Sequence, residues 1–566
     1  ALQLNLIGNA SYRKQKAPGT LSQDVDVVSG KVKRDFDINP YSYALNTSRA
    51  LDPDAYYQSN YAPFNILHEL DNNYIDLNVV DTKFQAEMRW EPIKGLEFAV
   101  LGAVKYASTS QENEIRDDSN EAESYRAMKN SLIRDDNKRL YSDPDNPYAL
   151  PMTILPNGGI YQRTDNSMLG YDFRATVNWN KTFAEKHIMN LFGGMETNSI
   201  DRRRNWFNGW GMQYSQGETP FYIYQYFKKT SEENTNYYSL NNTHSRNAAF
   251  FANGTYSYKG KYTLNGTIRY EGTNKLGRSR SARWLPTWNV SGSWNMHEES
   301  WFKKQNILSH LTLKASYSLT ADRGPEDYTN STVMLEGYTP YRPFATDRET
   351  GQRITNNENS NLTYEKKHEF NVGFDAGFLD NRINVEFDLY RRNNYDLIGP
   401  VSTEGVGGIV IQYANMASMK SHGEELTIST RNIETKNFKW GSNFIFSHTN
   451  NEVTELNSRA RTIDLVTGNG FAKQGYPVRA LFSMPFAGLN EDGIPQFYTP
   501  DGTVTTTDID FQNRDNNDFL KYEGPTDPTI TGSLGNIFTY KGFRLNIFIT
   551  YSFGNVVRLD PVFSAY

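Results

Sequence analysis

The chain has 566 residues, 14% of them aromatic and 37% hydrophobic, with a net charge of -6 and a mean hydropathy of -0.69. No apolar run approaches the ~18 residues that a spanning helix needs, so helical membrane proteins are excluded, and the acidic balance gives no basic field for nucleic acid. Without a single cysteine, disulfides and thiolate metal sites are excluded too.

The chain opens at ALQLNLIGNASYR, already in strand rhythm and with no signal peptide or initiator methionine, so a chain cut at its start is expected. After Leu2 to Tyr12, a polar segment from Arg13 to about Asn72 reads as an outside loop. Strands are predicted over Tyr74 to Trp90 and Leu96 to Ser108, joined by the turn Pro92-Ile93-Lys94-Gly95. A second long segment, Thr109 to Asn166, carries a charged run from Glu114 to Arg139 that reads as a solvated face with room for a surface helix. A hairpin over Ser167 to Thr197 turns near Ala184-Glu185-Lys186, and a third long segment runs from Asn198 to Ser245.

The pattern is plainest from Ala248 to Glu271. Phe250, Ala252, Gly254, Tyr256 and Tyr258 share one parity, as do Tyr262, Leu264, Gly266, Ile268 and Tyr270, while polar residues hold the other. That is period 2, one apolar and one polar face per strand. Lys259-Gly260-Lys261 supplies the tight turn. The apolar parity ends in tyrosines at the turn, in the manner of the aromatic girdle of an outer-membrane strand.

Further strands are predicted at Leu285 to Asn295 and His310 to Ala321, connected by HEESWFKKQNIL. Glu369 to Tyr390 forms another hairpin around Leu379-Asp380-Asn381-Arg382, with Asp375, Glu386 and Asp388 on the face toward a wet interior. Glu425 to Arg431 pairs with Trp440 to His448, and Thr529 to Tyr540 with Phe543 to Phe553, the longest connection lying between these hairpins. Short turns and long loops alternate throughout, which is the rule of outer-membrane barrels. The expectation is an all-β protein, a large antiparallel transmembrane β-barrel with long extracellular loops, short periplasmic turns and about fifteen strands in this chain. An odd count leads us to expect strands missing and truncation at both ends, with residues 1–566 a partial barrel domain.

Asn361 to Ile398, Arg283 to Ala321, Gly488 to Gly502 and Asp527 to Asn555 strongly resemble the SusC/RagA family of TonB-linked outer-membrane transporters. SRSARWLPTWNVSG, SMKSHGEELTISTRNI and GNGFAKQGYPVRALFS resemble its RagA side, whose members are associated with oligopeptide uptake. The resemblance implies a 22-stranded barrel with a plugged lumen in the full protein, residence in the bacterial outer membrane, and TonB-dependent import of oligopeptides in preference to glycans. It also implies a SusD-like lipoprotein lid, a dimer of barrel–lid pairs and contact with lipopolysaccharide. No plug-like or TonB-box sequence is present here; plug, TonB box and first strands are expected before residue 1, and closing strands after residue 566. A passive porin, a glycan importer of the same family and a soluble β-sandwich adhesin are the alternatives.

No H-E-x-x-H, G-x-S-x-G or cysteine nucleophile points to catalysis, and no cofactor is expected. Gly405-Val406-Gly407-Gly408 and Gly468-Asn469-Gly470 lack the residues of a phosphate loop and read as bends. Ser142-Asp143-Pro144-Asp145-Asn146 and Asn490-Glu491-Asp492-Gly493 offer oxygen ligands for calcium but match no EF-hand spacing, and turn chemistry accounts for them. The substrate-binding candidates lie in Asp201 to Gln216, read as outside loop. Trp206, Trp210 and Tyr214 can stack on a sugar or cover peptide side chains, and Arg203 or Arg204 can pair with a carboxylate; the competing reading is that they pack the loop or meet lipopolysaccharide phosphates. FYIYQYF, Phe221 to Phe227, shares that ambiguity and reads as a strand extension. Tyr258, Tyr262, Tyr540 and Phe543 are assigned to the membrane-interface girdle.

Overall fold

The structure, a computed structural model, describes residues 1–19, 24–25, 32–33, 36–233, 235–276, 280–302, 307–324, 333–338, 340, 342, 349–403, 405, 410–468 and 470–559. Val406, Gly407, Gly408 and Asn469 of the glycine-rich bends, and 303–306 of the HEESWFKKQNIL connection, lie outside the described residues.

Fifteen strands follow one another as hydrogen-bonded neighbours in one antiparallel sheet. They are β1 (Leu2–Pro18), β2 (Asn73–Ile93), β3 (Leu96–Ile115), β4 (Gly159–Phe183), β5 (His187–Gln213), β6 (Tyr238–Tyr258), β7 (Tyr262–Thr273) and β8 (Trp284–Asn295), then β9 (Leu308–Asp322), β10 (Glu365–Phe378), β11 (Ile383–Ser402), β12 (Ile411–Glu434), β13 (Phe438–Leu456), β14 (Ile530–Tyr540) and β15 (Phe543–Phe553). Every strand pairs with its predecessor in this order, so the predicted hairpin series is observed.

Register turns the period-2 sequence pattern into two chemically distinct faces. Phe98 lies opposite Val177, and the row continues through Gly193, Ala252, Ile268 and Trp288. Three residues along, and so on the opposite parity, Leu101 lies opposite Arg174, then Glu196, Ala249 and Glu271. Phe84, Phe250, Leu264 and Ile268, all on the first face, are more than half exposed. Lipid is the medium in which such a face is stable, and the continuous ladder satisfies the backbone groups that lipid cannot.

The short turns gather at one rim. Gly95 takes φ 90, and a Cβ there would stand 2.4 Å from the Asn180 carbonyl oxygen, so only glycine fits. Tyr258 lies directly opposite Tyr262, and Tyr540 opposite Phe543, on the apolar face beside these turns. Tyr262 is further fixed by Glu299 in the β8–β9 connection. That carboxylate accepts hydrogen bonds from Lys261 Nζ at 2.8 Å, from the Tyr262 hydroxyl and from Trp294 Nε1 at 3.2 Å.

At the opposite rim the strands are far longer than the ~9–11 residues a membrane requires. β2 to β6 hold 21, 20, 25, 27 and 21 residues, whereas β7 and β8 hold 12 each, so the rim steps down sharply after β6. Two sequence expectations are corrected here. Asn198 to Ser245 is not one long loop, because β5 continues to Gln213 and β6 begins at Tyr238. Phe221 to Phe227 is not a strand extension; most of it enters a helix, Tyr224–Glu232.

Small apolar cores organise the loops. The run from Glu114 to Arg139 is not simply a solvated face: it forms helices at Asn120–Arg126 and Ser131–Asp136, and Ala122 is buried with Ile115, Leu155 and Ile160. Asn120 donates to the carbonyls of Ser59, Ala62 and Pro63 and receives the Glu69 carboxylate on its backbone N–H at 2.9 Å. Burial pushes the Glu69 carboxyl above its ordinary range, against the pull of Asn120 and His68.

The Glu299 clasp gives a pH prediction. Hydrogen bonds from Lys261 and Tyr262 hold its carboxyl at about 2, below the ordinary 4.5. A depressed folded-state pKa stabilises above the ordinary value and loses that contribution as pH falls toward the folded value. The thermal stability advantage of wild type over Glu299→Gln, read by heat-modifiable gel mobility, is therefore full above about pH 4.5 and fades toward about pH 2.

Candidate functional site

The face opposite the lipid carries the site. Near mid-height, residues of β2 to β7 line a recess of about 460 Å³, joined by Arg323 after β9 and Tyr364 before β10. Its wall is a charge ladder crossing four strands. Arg174 donates to Glu196 at 2.9 and 3.1 Å, Arg269 donates to Glu196 at 2.6 Å, and Arg269 also donates to Glu271 at 2.7 Å. Beside it Asn198 donates to Asp172 at 2.6 Å, and Arg323 donates to Asn247 at 2.9 Å. Alternation compels this convergence: residues two apart share a face, and antiparallel register stacks them across strands. The ladder is self-neutralising, so it holds the wall together without presenting a free charge.

Higher on the same face the chemistry changes. From Glu196 and Asn198 the parity runs on through Ile200, Arg202, Arg204 and Trp206, placing both arginines inward. Arg202 and Arg204 line a shallow recess of about 290 Å³ with Thr109, Asn166, Met168 and Asn241. No carboxylate among the described residues pairs with Arg202 or Arg204. Two guanidinium groups a strand repeat apart, open to water and without a counter-ion among the described residues, have the chemistry to take a carboxylate or another oxyanion.

The five residues named from the sequence are thus divided. Arg204 and Trp206 share the inner parity, whereas Arg203 has the outer parity beside Asp201 and His244, with its Nε donating to Asn205 at 3.3 Å, and it borders the recess of Arg202 and Arg204 as well. Trp210 packs edge-on against Tyr125 at 4.8 Å and stacks on Tyr226 at 5.6 Å, so its indole belongs to the loop core. Tyr214 lies under the Arg116 guanidinium and donates to the Ile160 carbonyl at 3.0 Å; burial pushes its hydroxyl well above the ordinary tyrosine range. Arg202 was missed by the sequence reading. Parity counted onward from Glu196 along an unbroken strand would have found it.

The helix Tyr224–Glu232 is pinned by an ionic clasp. Lys228 Nζ lies 2.5 Å from Asp143, 2.6 Å from Asp145 and 3.6 Å from Glu232, and the Tyr141 hydroxyl donates to Glu232 at 2.8 Å. Burial alone would lower the Lys228 pKa, but hydrogen bonds to Asp143 and Asp145 outweigh it and leave it raised. Burial and the Glu232 hydrogen bond push Tyr141 up in turn. The acidic turn considered for calcium therefore encloses an ammonium group. In the other acidic turn, Asn490 Oδ1 accepts the N–H groups of Asp492 at 3.0 Å and Ile494 at 2.8 Å, which is turn chemistry.

Between that helix, the tip of β6 and the hairpin Met334–Tyr338/Gly351–Asn356 lies a larger cleft of about 690 Å³. Phe227, Tyr237, Tyr238 and Tyr338 form its aromatic walls. The Glu336 carboxylate accepts from Arg353 at 3.0 Å on the hairpin side.

Known proteins share this architecture. The family described as TonB dependent receptor-like, beta-barrel matches residues 18–560. TonB-dependent receptor P39 of Formosa agariphila is 26% identical over 436 residues, which cover 69% of this chain and 40% of that protein. TonB-dependent receptor SusC of Bacteroides thetaiotaomicron is 31% identical over 183 residues, 31% of this chain and 18% of that protein. Among solved structures, the RagAB peptide importer in the open-open state superposes with a TM-score of 0.70 at 20% identity, covering 98% of this chain and 55% of that one. The chain thus spans less than half the length of these curated relatives and about half that of the solved chain.

The Lys228 clasp can be tested directly. Lys228→Met leaves three carboxylates facing one another and is expected to cost about 1–3 kcal/mol of local stability, the acids being partly exposed. Proteinase K digestion of intact cells should cut the loop between Leu140 and Gly159 about 10-fold faster in the variant, while a chelator leaves wild-type cleavage unchanged.

Proposed function

The chain belongs to the TonB dependent receptor-like β-barrel family, a SusC/RagA-like member residing in the bacterial outer membrane, and we propose that it serves the TonB-dependent import of short oligopeptides in company with a SusD-like surface lipoprotein. The observation that carries the cargo class is the pair Arg202 and Arg204, inward at the mouth of the lumen and, among the described residues, without a carboxylate partner. Every unmodified linear peptide brings one terminal carboxylate that a neutral glycan lacks, and arginine recognises that group bidentately. Trp206, on the same face, offers a flat apolar surface to the adjoining side chain. The RagA-like wording of Ser279 to Gly292, Ser418 to Ile433 and Gly468 to Ser483 supports the same choice.

The self-neutralised ladder lower down would let cargo pass without a second strong hold. Transport requires such a gradient, tight enough at the mouth to capture and weak enough below to release. No covalent step is invoked: energy relayed through TonB would drive release, and the wall would supply orientation alone.

Two measurements test the reading. The intact protein, extracted from its own membrane in detergent, should carry a lipoprotein and a mixture of short peptides identifiable by mass spectrometry; a bare barrel conducting small solutes without TonB would instead identify a passive pore. Replacing both arginines, Arg202→Gln with Arg204→Gln, should weaken binding of a free-acid octapeptide about 10-fold and leave its C-terminal amide nearly unaffected. Equal loss for acid and amide would remove the carboxylate from the role given to it.

A further inference from the structure

Pairing between β6 and β7 ends at Asn247 and Thr273, yet β6 continues for the stretch Tyr238 to Arg246, held among the described strands on one side only, by β5. The side facing the missing neighbour can be read from Asn274. Its N–H donates to the Arg246 carbonyl at 3.1 Å, its Oδ1 accepts the Arg246 N–H at 2.8 Å, and its Nδ2 donates to the His244 carbonyl at 2.9 Å. Even-numbered residues therefore direct their main-chain groups toward the β7 side. By strand alternation Asn242, Leu240 and Tyr238 do the same, and among the described residues nothing bonds to them there.

Natural sheets blunt such an edge with proline, inward charge, a bulge or a covering loop. Tyr238 to Asn242 reads Tyr-Ser-Leu-Asn-Asn, with no proline and no charge, and Tyr238 and Leu240 are 56% and 63% exposed. This edge also borders the aromatic-walled cleft of about 690 Å³, which Tyr237, Tyr238 and Leu240 help to line. That volume falls in the range of small-ligand sites. One strand further in, on β5, stand Arg204 and Arg202, unpaired among the described residues, opposite Asn241 and Thr243.

We infer that the open edge of β6 from Tyr238 to Asn242 is a docking strand for cargo: an extended peptide adds to it by main-chain hydrogen bonds, side chains of one parity resting in the aromatic cleft. Strand addition recognises backbone and tolerates varied sequence, with specificity left to alternate side chains. An importer of mixed peptides requires that combination. A glycan has no matching ladder of N–H and C=O groups. Charge complementarity is available as well, since the neighbouring arginines can take the terminal carboxylate. The inference rests on the peptide reading of the preceding subsection and specifies how the peptide is held.

The experiment uses the intact protein in detergent with whatever lipoprotein it carries, and a fluorescein-labelled alanine–serine octapeptide read by fluorescence anisotropy. A series of single backbone N-methylations removes one N–H at a time. Strand addition predicts losses of about 10-fold at alternate positions and little change between them. A flat profile overturns strand addition while leaving peptide cargo standing. Failure of the octapeptide and its variants to bind, with binding of a neutral maltohexaose, overturns the cargo reading and this inference with it. On the protein side, Leu240→Pro removes one edge N–H at a position where an edge strand accepts proline, and should weaken octapeptide binding about 10-fold. Leu240→Ala, which keeps the N–H and trims only the cleft lining, should weaken binding clearly less than Leu240→Pro; equal effects of the two variants would assign the binding to the leucine side chain and overturn the proposal.

Discussion

A chain that crosses lipid must satisfy every backbone N–H and C=O from within, and the rest of this structure follows from that demand. The unbroken antiparallel ladder fixes side-chain parity over strands up to 27 residues long. Parity then separates Phe98, Ala252 and Ile268 from Arg174, Glu196 and Glu271 across a single layer of chain. No hydrophobic core is needed in the wall itself, because lipid takes the apolar face and the lumen takes the charges. Buried cores appear instead outside the membrane, under the loops, where Ile115, Leu155 and Ile160, or Leu465 and Phe482, exclude water in the usual way.

The same demand explains which parts of the fold could be seen in the sequence. Inside the membrane, one face must be apolar, so Phe250 to Tyr258 and Tyr262 to Tyr270 announce themselves by alternation, and their turn and register were legible to the residue. Above the membrane both faces meet water. The extension of β5 through Asp201-Arg202-Arg203-Arg204-Asn205 therefore carries no apolar parity, and it reads as loop although it is as regularly paired as any strand. The division of Arg203 from Arg204 was invisible for that reason: without a strand there is no parity to assign. Phe221 to Phe227 failed differently. A short aromatic run suits a strand or one face of a helix equally well, and the choice was made by Tyr226 and Lys228, which pack inward against Trp210 and an acidic turn more than 80 residues away in sequence.

Charge is used in two distinct ways along the inner face. In the ladder of Arg174, Glu196, Arg269 and Glu271 each cation has its anion, and the array stiffens a wall that has no second layer behind it. At the mouth, Arg202 and Arg204 have none among the described residues, and the interaction they lack there is the one they can offer. The Lys228 clasp belongs with the first kind: it draws an acidic turn, a tyrosine and a helix into one body at the end of the tall strands. The loops above β2 to β6 are accordingly folded objects that brace the strands beneath them.

The turn at Asn490 stands apart from this bracing. It closes a small meander, Phe486–Leu489, Pro495–Tyr498 and Val504–Thr505, whose strands, among the described residues, pair only with one another. Its backbone is held by one side chain, Asn490, and Leu489 and Ile494 beside it are 61% and 50% exposed. A foreign segment spliced between Glu491 and Gly493 would disturb neither the wall nor a buried core. The meander is in effect a ready-made handle, a place where an epitope or an affinity sequence can be carried on the outside of a living cell while the barrel beneath it goes on folding unaltered.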